Sequence, residues 1–318
     1  MRGVFLDLDT VVRAGDVDLS ALRRALGELR TFGATPAEEV VPRVGDLDVV
    51  LINKVKLGAA VLGRFPRVRL VCLAATGFNN VDIDTARARG IAVCNVPAYA
   101  TPSLAQQVFA LLLALNQHLK EYEALLQSGV WRRAPQFTLL EYPIRELAGK
   151  TFGIVGYGDT GRAVARIAQS FGMRVAIAAR NGADQRPGRL PLAELLAQVD
   201  VLSLHVPLLP ETRGLIGPAQ LALMKPSAIL INCARGGLVD EPALADALKG
   251  GRLAGAGVDV LSEEPPVHGN ALLVPGIPNL IVTPHIAWAA REARQRVIDE
   301  MALNVRAFGH GEARNRVA

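Results

Sequence analysis

The chain reads as an α/β protein built on two doubly wound parallel sheets, and three observations predict this. Short apolar runs alternate with amphipathic stretches through almost all of the 318 residues, the pattern of strands joined by crossover helices. Half of the residues are apolar, enough for a large core, and the length favours two domains over one. At KTFGIVGYGDTGRAVARIA a strand, a glycine turn and a helix follow one another, the unit that opens a nucleotide-binding sheet.

The elements follow in order. In the first hundred residues the strand candidates are VFLDL near the start, VVLIN from Val49, VRLVCLAA from Val68 and IAVCNVP from Ile91. Near Tyr99 the rhythm changes. Thr101 offers a hydroxyl for an N-cap and Pro102 fits the first helical position, so a long helix is expected from there to about Ser128. Beyond a connecting segment around Trp131 to Leu147 come the strand TFGIVG, its glycine turn and helix, and a second strand, MRVAIAAR. VDVLSLHVP, AILINCA, GAGVDV and LIVTPH extend that sheet, with helical segments such as Pro242 to Lys249 between them, and a last helix runs from roughly Arg291 to Phe308.

Composition removes several function classes. The formal charge is +5 and the pI is about 9.4, yet no Lys/Arg block interleaves with aromatics, so the charge is that of a solvated basic surface rather than a nucleic-acid interface. Such a surface raises encounter rates with anionic small molecules. Cys72, Cys94 and Cys233 are odd in number, far apart and without a CxxC pair, which suggests neither disulfides nor zinc and fits a reducing cytoplasm. Asp7 and Asp9 interrupt the stretch a signal peptide needs, and the longest apolar run, Val108 to Leu115, is too short for a bilayer. His118, His268 and His310 lack neighbours at metal-ligand spacing, so no metal is expected.

Gly156, Gly158 and Gly161 form GxGxxG between a strand and a helix, the context that makes this motif specific for a dinucleotide. The first glycine permits a tight turn, the second a close approach of pyrophosphate, and the third close packing of helix on strand. Asp159 and Thr160 open the helix, whose first N–H groups face an anion. About twenty residues on, where a carboxylate ordinarily accepts from the adenosine ribose, the strand ends in Ala178, Ala179, Arg180 and Asn181. An arginine there can pair with the 2'-phosphate of NADP, which favours NADPH over NADH. The alternative is that Arg180 caps the strand end and stacks on adenine without selecting either cofactor.

The ordered motifs AATGFNNVD, NVPAYATPSLAQ, GIVGYGDTG, HVPLLPETRGLI, NCARGGLVDE, GVDVLSEEPP and TPHIAW resemble the D-2-hydroxyacid dehydrogenase family across nearly the whole chain. Within it the AATG, ARGGLVDE and SEEPP segments are most similar to the hydroxypyruvate reductases, also called glycerate dehydrogenases. The resemblance implies an NAD(P)-dependent oxidoreductase with two Rossmann-like domains and an active site in the cleft between them. Residues 1–99 with 291–318 would form a discontinuous substrate domain, and 100–290 the cofactor domain. It implies a homodimer formed through the cofactor domains, with the helix after Thr101 in the contact.

The same resemblance makes Arg235, Glu264 and His285 the catalytic set. Hydride arriving at a keto carbon leaves negative charge on oxygen. His285 is suited to supply the proton, with Glu264 stabilising its charged form, and Arg235 to grip the substrate carboxylate with two parallel hydrogen bonds. Singly, each residue is equally well a solvated arginine, a turn glutamate and a strand-end histidine. Thr76 and Gly77 would offer backbone N–H groups to the substrate carboxylate, with Asn79, Asn80 and Asp82 holding their turn. Lys54 would add a positive charge, and Trp288 an apolar wall.

The cofactor would meet Thr101 and His285 at its nicotinamide end, Asp259 at the carboxamide, His205, Val206, Pro207 and Thr212 along the adenosine side, and the Cys233 and Ala234 backbone. Asp259, between two valines, needs a partner if buried, and the cofactor can provide one; His205 is equally well a satisfied core histidine. The expected reaction is reversible reduction of a small 2-keto acid, hydroxypyruvate or glyoxylate, to the D-2-hydroxy acid. Alternatives on the same fold are a formate or phosphite dehydrogenase and a non-catalytic, NAD(H)-sensing corepressor.

Overall fold

In the computed structural model, residues 1–13, 15–180, 184 and 186–318 are described. They divide into two compact units, Met1–Ala100 with Trp288–Ala318, and Thr101–Ala287.

The first unit holds five strands, β1 (Arg2–Phe5), β2 (Glu28–Thr31), β3 (Val49–Ile52), β4 (Leu70–Leu73) and β5 (Ala92–Cys94), in the order β2-β1-β3-β4-β5. All pairs are parallel. β3 and β4 are buried at every position, as expected of central strands covered on both faces. β2 has no apolar run and is mostly exposed; it pairs on one side only, at the sheet edge. That is why the sequence pattern does not announce it.

The second unit holds seven parallel strands, β6 (Thr151–Val155), β7 (Arg174–Ala178), β8 (Arg189–Leu190), β9 (Val201–Leu204), β10 (Ile229–Asn232), β11 (Gly255–Val258) and β12 (Leu280–Val282), in the order β12-β11-β10-β9-β6-β7-β8. Alternation divides the core between two faces. Leu202, Leu204 and Leu230 face one apolar cluster with Leu195, Leu244 and Leu248. Val201, Ile229 and Ile231 face another with Val108, Leu112 and Phe152. The helix Thr101–Asn116 lies so close to β11 that a Cβ on Gly257 would come within 2.8 Å of Leu111 Cβ.

Two expectations about the first long helix need correction. It does not run unbroken to Ser128: it ends at Asn116, His118 takes a left-handed φ of 50°, and a separate helix spans Leu119–Gln127. The His118 ring stacks on Tyr142 with centroids 5.3 Å apart, a tertiary contact invisible to helical periodicity. Nor does Thr101 cap the helix; its hydroxyl is buried and makes no hydrogen bond among the described residues. No helix among the described residues is long and apolar enough to cross a membrane.

The strand order reverses between β6 and β9, the topological switch point at which doubly wound sheets bind ligands. Gly156, at φ 96°, sits there because a Cβ would collide with the His205 carbonyl, and a Cβ on Gly161 would overlap the Gly156 carbonyl oxygen. Gly161→Ala is therefore expected to destabilise the protein by about 1–3 kcal/mol. Thermal unfolding checks this, and an unchanged midpoint would show that the turn tolerates the methyl group.

Candidate active site

Three adjacent parallel strands, β10, β11 and β12, end on the same edge of the sheet and carry the catalytic candidates just beyond it. Arg235 follows β10, Asp259 and Glu264 follow β11, and His285 follows β12. Glu264 and His285 come together, Oε2 to Nδ1 at 2.6 Å, with both side chains about one-third exposed (32 % and 28 %). Nδ1 therefore donates, leaving Nε2 for a substrate oxygen. His285 holds a left-handed φ of 55°, an uncommon state for a side chain with a Cβ. Its backbone N–H donates to the Asp259 carbonyl at 2.8 Å.

Asp259 is 1 % exposed, and its partners lie within the chain. Oδ1 accepts from the Ile286 N–H at 3.0 Å and the Thr283 hydroxyl at 2.5 Å, and Oδ2 from the Ala287 N–H at 2.8 Å. Its burial therefore needs no cofactor to satisfy it, which removes the sequence argument for a carboxamide contact. Burial pushes its carboxyl up from the ordinary range, opposed by these hydrogen bonds and the charge of His285. Gln107 donates to Thr283 Oγ1 at 3.2 Å, and Ser103 Oγ to the Ala287 carbonyl at 2.6 Å. The first turns of the helix Thr101–Asn116 thus brace the histidine turn.

Arg235 is half-buried and extended in backbone (φ −147°), with Nη1 donating to the Ala234 carbonyl at 2.7 Å. Asn232, 1 % exposed, ties this turn: its Nδ2 donates to the Arg235 carbonyl at 2.9 Å and its Oδ1 accepts from the Ala234 N–H at 3.1 Å. Sequence reading did not single out Asn232. The available signal was an amide inside the apolar strand AILINCA. Cys233 beside it is buried and unpaired.

The glycine turn passes a test of fit to a dinucleotide. Gly156 and Gly161 are demanded by neighbouring backbone, but a Cβ on Gly158 meets nothing within 4 Å. That position is open space over the first turn of the helix Asp159–Ser170, room in which a dinucleotide phosphate would approach the backbone. Asp159 is exposed and pairs with Arg162 at 2.7 Å, and Thr160 is half-buried on the first turn. The buried, unpartnered Thr101 hydroxyl is a second polar atom with bonding capacity left for a ligand.

Further along this edge, His205 follows β9, its Nε2 2.9 Å from Ser203 Oγ. Val206 is half-buried and Pro207 exposed. Thr212 closes their loop, its hydroxyl donating to the Pro207 carbonyl and accepting from the Leu209 N–H, each at 2.7 Å. Beyond β7, Ala179 donates its N–H to the Leu190 carbonyl at 2.7 Å, and Arg180 is exposed. Asn181 lies outside the described residues.

Sequence reading missed the carboxylate near this strand end. Asp184 accepts the Arg180 backbone N–H at 2.8 Å, and Arg186 grips it with Nε and Nη2, both at 2.7 Å. The arginine fork holds the Asp184 carboxyl below the usual range.

The remaining candidates lie in the other unit. Lys54 is exposed, on a loop whose N–H groups, Asn53 at 2.8 Å, Lys54 at 2.6 Å and Val55 at 3.0 Å, all donate to the buried Asp7 carboxylate. Asn80 Nδ2 donates to the Val55 carbonyl at 2.8 Å, which ties this loop to the turn of Thr76, Gly77 and Asn79. Thr76 Oγ1 donates to the Val96 carbonyl at 2.9 Å. Asp82 caps the helix Ile83–Ala88, and Trp288 packs edge-on against Tyr99 with centroids 6.5 Å apart.

A doubly wound sheet with a glycine turn at its switch point defines the class, a dinucleotide-binding protein. The comparisons with known proteins carry this further. Residues 109–287 match the family D-isomer specific 2-hydroxyacid dehydrogenase, NAD binding domain. The chain is 45% identical over 282 residues to a glycerate dehydrogenase of Methylorubrum extorquens, covering 88% of each. It is 41% identical to a hydroxypyruvate reductase of Blautia hydrogenotrophica, covering 100% of this chain and 99% of that one. Among solved structures, the TT0316 protein of Thermus thermophilus superposes with a TM-score of 0.85 at 35% identity over the whole of both chains. The chain belongs to the D-isomer specific 2-hydroxyacid dehydrogenase family. It is an oxidoreductase that uses a nicotinamide cofactor.

Burial pushes the His205 imidazole down to about 4, below the 6.5 of an unfolded histidine. The unfolded chain then binds more protons between these values, so stability falls as pH drops from about 6.5 towards about 4. His205→Gln should flatten that part of the profile in urea unfolding; an identical profile would show that another group carries it.

Proposed function

We propose that the protein is a reversible NAD(P)H-dependent reductase of a small 2-keto acid, hydroxypyruvate or glyoxylate, yielding the D-2-hydroxy acid. The observation that carries this reading is the 2.6 Å Glu264–His285 pair on the same sheet edge as Arg235. The names of the relatives, glycerate dehydrogenase, hydroxypyruvate reductase and glyoxylate reductase, support the short keto acids. The Thr101–Ala287 unit is the cofactor domain in this reading, and the other unit the substrate domain. We assign Lys54, Thr76 and Gly77 to the substrate carboxylate and Trp288 to its apolar side.

A bound nicotinamide supplies the hydride in reduction and takes it back in oxidation. The protein supplies the rest. Arg235 fixes the substrate carboxylate and hence the face presented to the cofactor. His285 Nε2 gives its proton to the oxygen on which charge develops, while Glu264 at Nδ1 orients the ring and balances the imidazolium. In oxidation the same nitrogen removes the hydroxyl proton. A formate or phosphite substrate has no keto oxygen to protonate, and a corepressor needs no such pair.

We assign the cofactor as NADPH in preference to NADH. The Asp184 carboxylate is engaged by the Arg180 amide and the Arg186 fork, which leaves the exposed Arg180 guanidinium to meet a 2'-phosphate. Initial rates with hydroxypyruvate, glyoxylate and pyruvate, each with NADPH and NADH, test the assignment. Hydroxypyruvate with NADPH is expected to be fastest, and no turnover with any pair would overturn the reading. His285→Ala should lower kcat, and Arg235→Ala should also raise KM, each by about tenfold or more. Arg180→Asp should shift preference towards NADH, and an unaltered ratio would remove Arg180 from phosphate recognition.

We also propose that the protein is a cytoplasmic homodimer. The segment after the helix Thr101–Asn116 displays Trp131 at 48 %, Phe137 at 90 % and Leu140 at 85 % exposure, apolar surface that a second copy would cover. Light scattering should give the dimer mass; a monomer at all concentrations would contradict this.

A further inference from the structure

Glu241 is a carboxylate to which the dehydrogenase reading gives no task. It opens the helix Glu241–Lys249, close behind Arg235 in the chain, and is only 6 % exposed. A carboxylate so withdrawn from water must be hydrogen bonded, and its three bonds all lead to one loop. Oε1 accepts from the Ser262 N–H at 2.6 Å. Oε2 accepts from the Ser262 hydroxyl and from Asn270 Nδ2, both at 2.6 Å. The Asn270 amide is oriented by its other end, since Oδ1 accepts from the Leu272 N–H at 2.9 Å.

The loop held in this way carries Glu264. The Leu261 N–H, one peptide before the clamped Ser262, donates to Glu264 Oε1 at 2.9 Å, while Oε2 meets His285 Nδ1 at 2.6 Å. A second contact joins the same two segments. A Cβ on Gly236 would overlap the backbone of Leu261 and Ser262, so the strand end bearing Arg235 lies flat against the loop. The stretch 235–241 thus touches the Glu264 loop by close backbone packing at one end and by three carboxylate hydrogen bonds at the other.

We propose that Glu241 is a positioning residue: its carboxylate fixes the 261–270 loop on the turn that bears Arg235, so that Glu264 is held where it meets His285. This rests on Glu264 and His285 being the acid–base pair. Only a carboxylate accepts from all three donors at once. A glutamine would turn an NH2 group towards either the Ser262 N–H or Asn270 Nδ2, a donor facing a donor. Among the described residues, the carboxylates bonded to His285 and its turn are Glu264, at its ring, and Asp259, which holds its backbone and the two amides after it. Both remain when Glu241 is changed; only the placement of Glu264 is loosened.

The test is an NMR titration of the His285 ring in the full chain, its signal assigned by loss in His285→Gln. Glu264→Gln should move the titration midpoint down, because the opposite charge beside the ring becomes neutral. Glu241→Ala should move it the same way by about half as much or more, and Glu241→Gln by less. If the alanine variant does not fold, the glutamine variant decides. A midpoint that stays at the wild-type value in the folded Glu241 variants, while Glu264→Gln moves it, would overturn the proposal and reduce Glu241 to a structural clamp. A midpoint unmoved by Glu264→Gln itself would instead remove the acid–base pair on which the proposal rests.

Discussion

The site depends on a buried carboxylate that faces its own chain. Asp259 draws two backbone N–H groups and a hydroxyl from the turn after β12 onto its two oxygens. Its carbonyl meanwhile takes the amide of His285. These bonds hold a histidine in a left-handed backbone that it rarely adopts unaided. Leaving such a carboxylate buried and unpaired would cost several kcal/mol, so the turn and the aspartate stabilise each other. Fixing the turn fixes the ring, and fixing the ring gives the Glu264 contact its 2.6 Å geometry.

The rest of the cofactor-domain edge repeats this arrangement of polar side chains holding backbone. Asn232 ties the Arg235 turn, Glu241 ties the Glu264 loop, and Gln107 and Ser103 brace the histidine turn from the neighbouring helix. The groups proposed to touch substrate therefore sit on loops, but loops whose amides and carbonyls are accounted for by buried partners. Such preorganisation serves a reaction that needs a proton and a hydride delivered to one carbonyl in fixed orientation. The switch point supplies the remaining constraint: backbone contacts require glycine at 156 and 161, while the space beside Gly158 is open for a phosphate to approach.

Much of this was legible in the sequence, because apolar runs dictate central strands and an ordered set of short motifs dictates a family. The strands β3, β4, β9 and β10 announce themselves by burial on both faces. β2 and the two-residue β8 do not, since an exposed edge needs no apolar pattern. The helix breaks at His118, whose ring stacks on Tyr142, and the Thr101 hydroxyl is buried without a bond among the described residues; neither follows from helical periodicity or a capping rule. Asn232 and Glu241 stand at the two ends of the motif NCARGGLVDE, and Asp259 lies inside GVDVLSEEPP, yet a motif shows only that a residue recurs, not what it holds. Asn232 and Glu241 are single polar residues whose partners lie across a turn or on another loop. Asp184 meets the end of β7 through the Arg180 N–H, a contact that no motif announces.

The central claim is that a charged His285, balanced by Glu264, gives the proton in keto-acid reduction. The most direct measurement is the pH dependence of kcat/KM for reduction in the wild-type enzyme and in Glu264→Gln. Reduction should fall as pH rises through the histidine titration, and in Glu264→Gln that fall should begin at lower pH, because the protonated ring loses its counter-charge. A profile flat across this range, or one that Glu264→Gln leaves in place, would contradict the account.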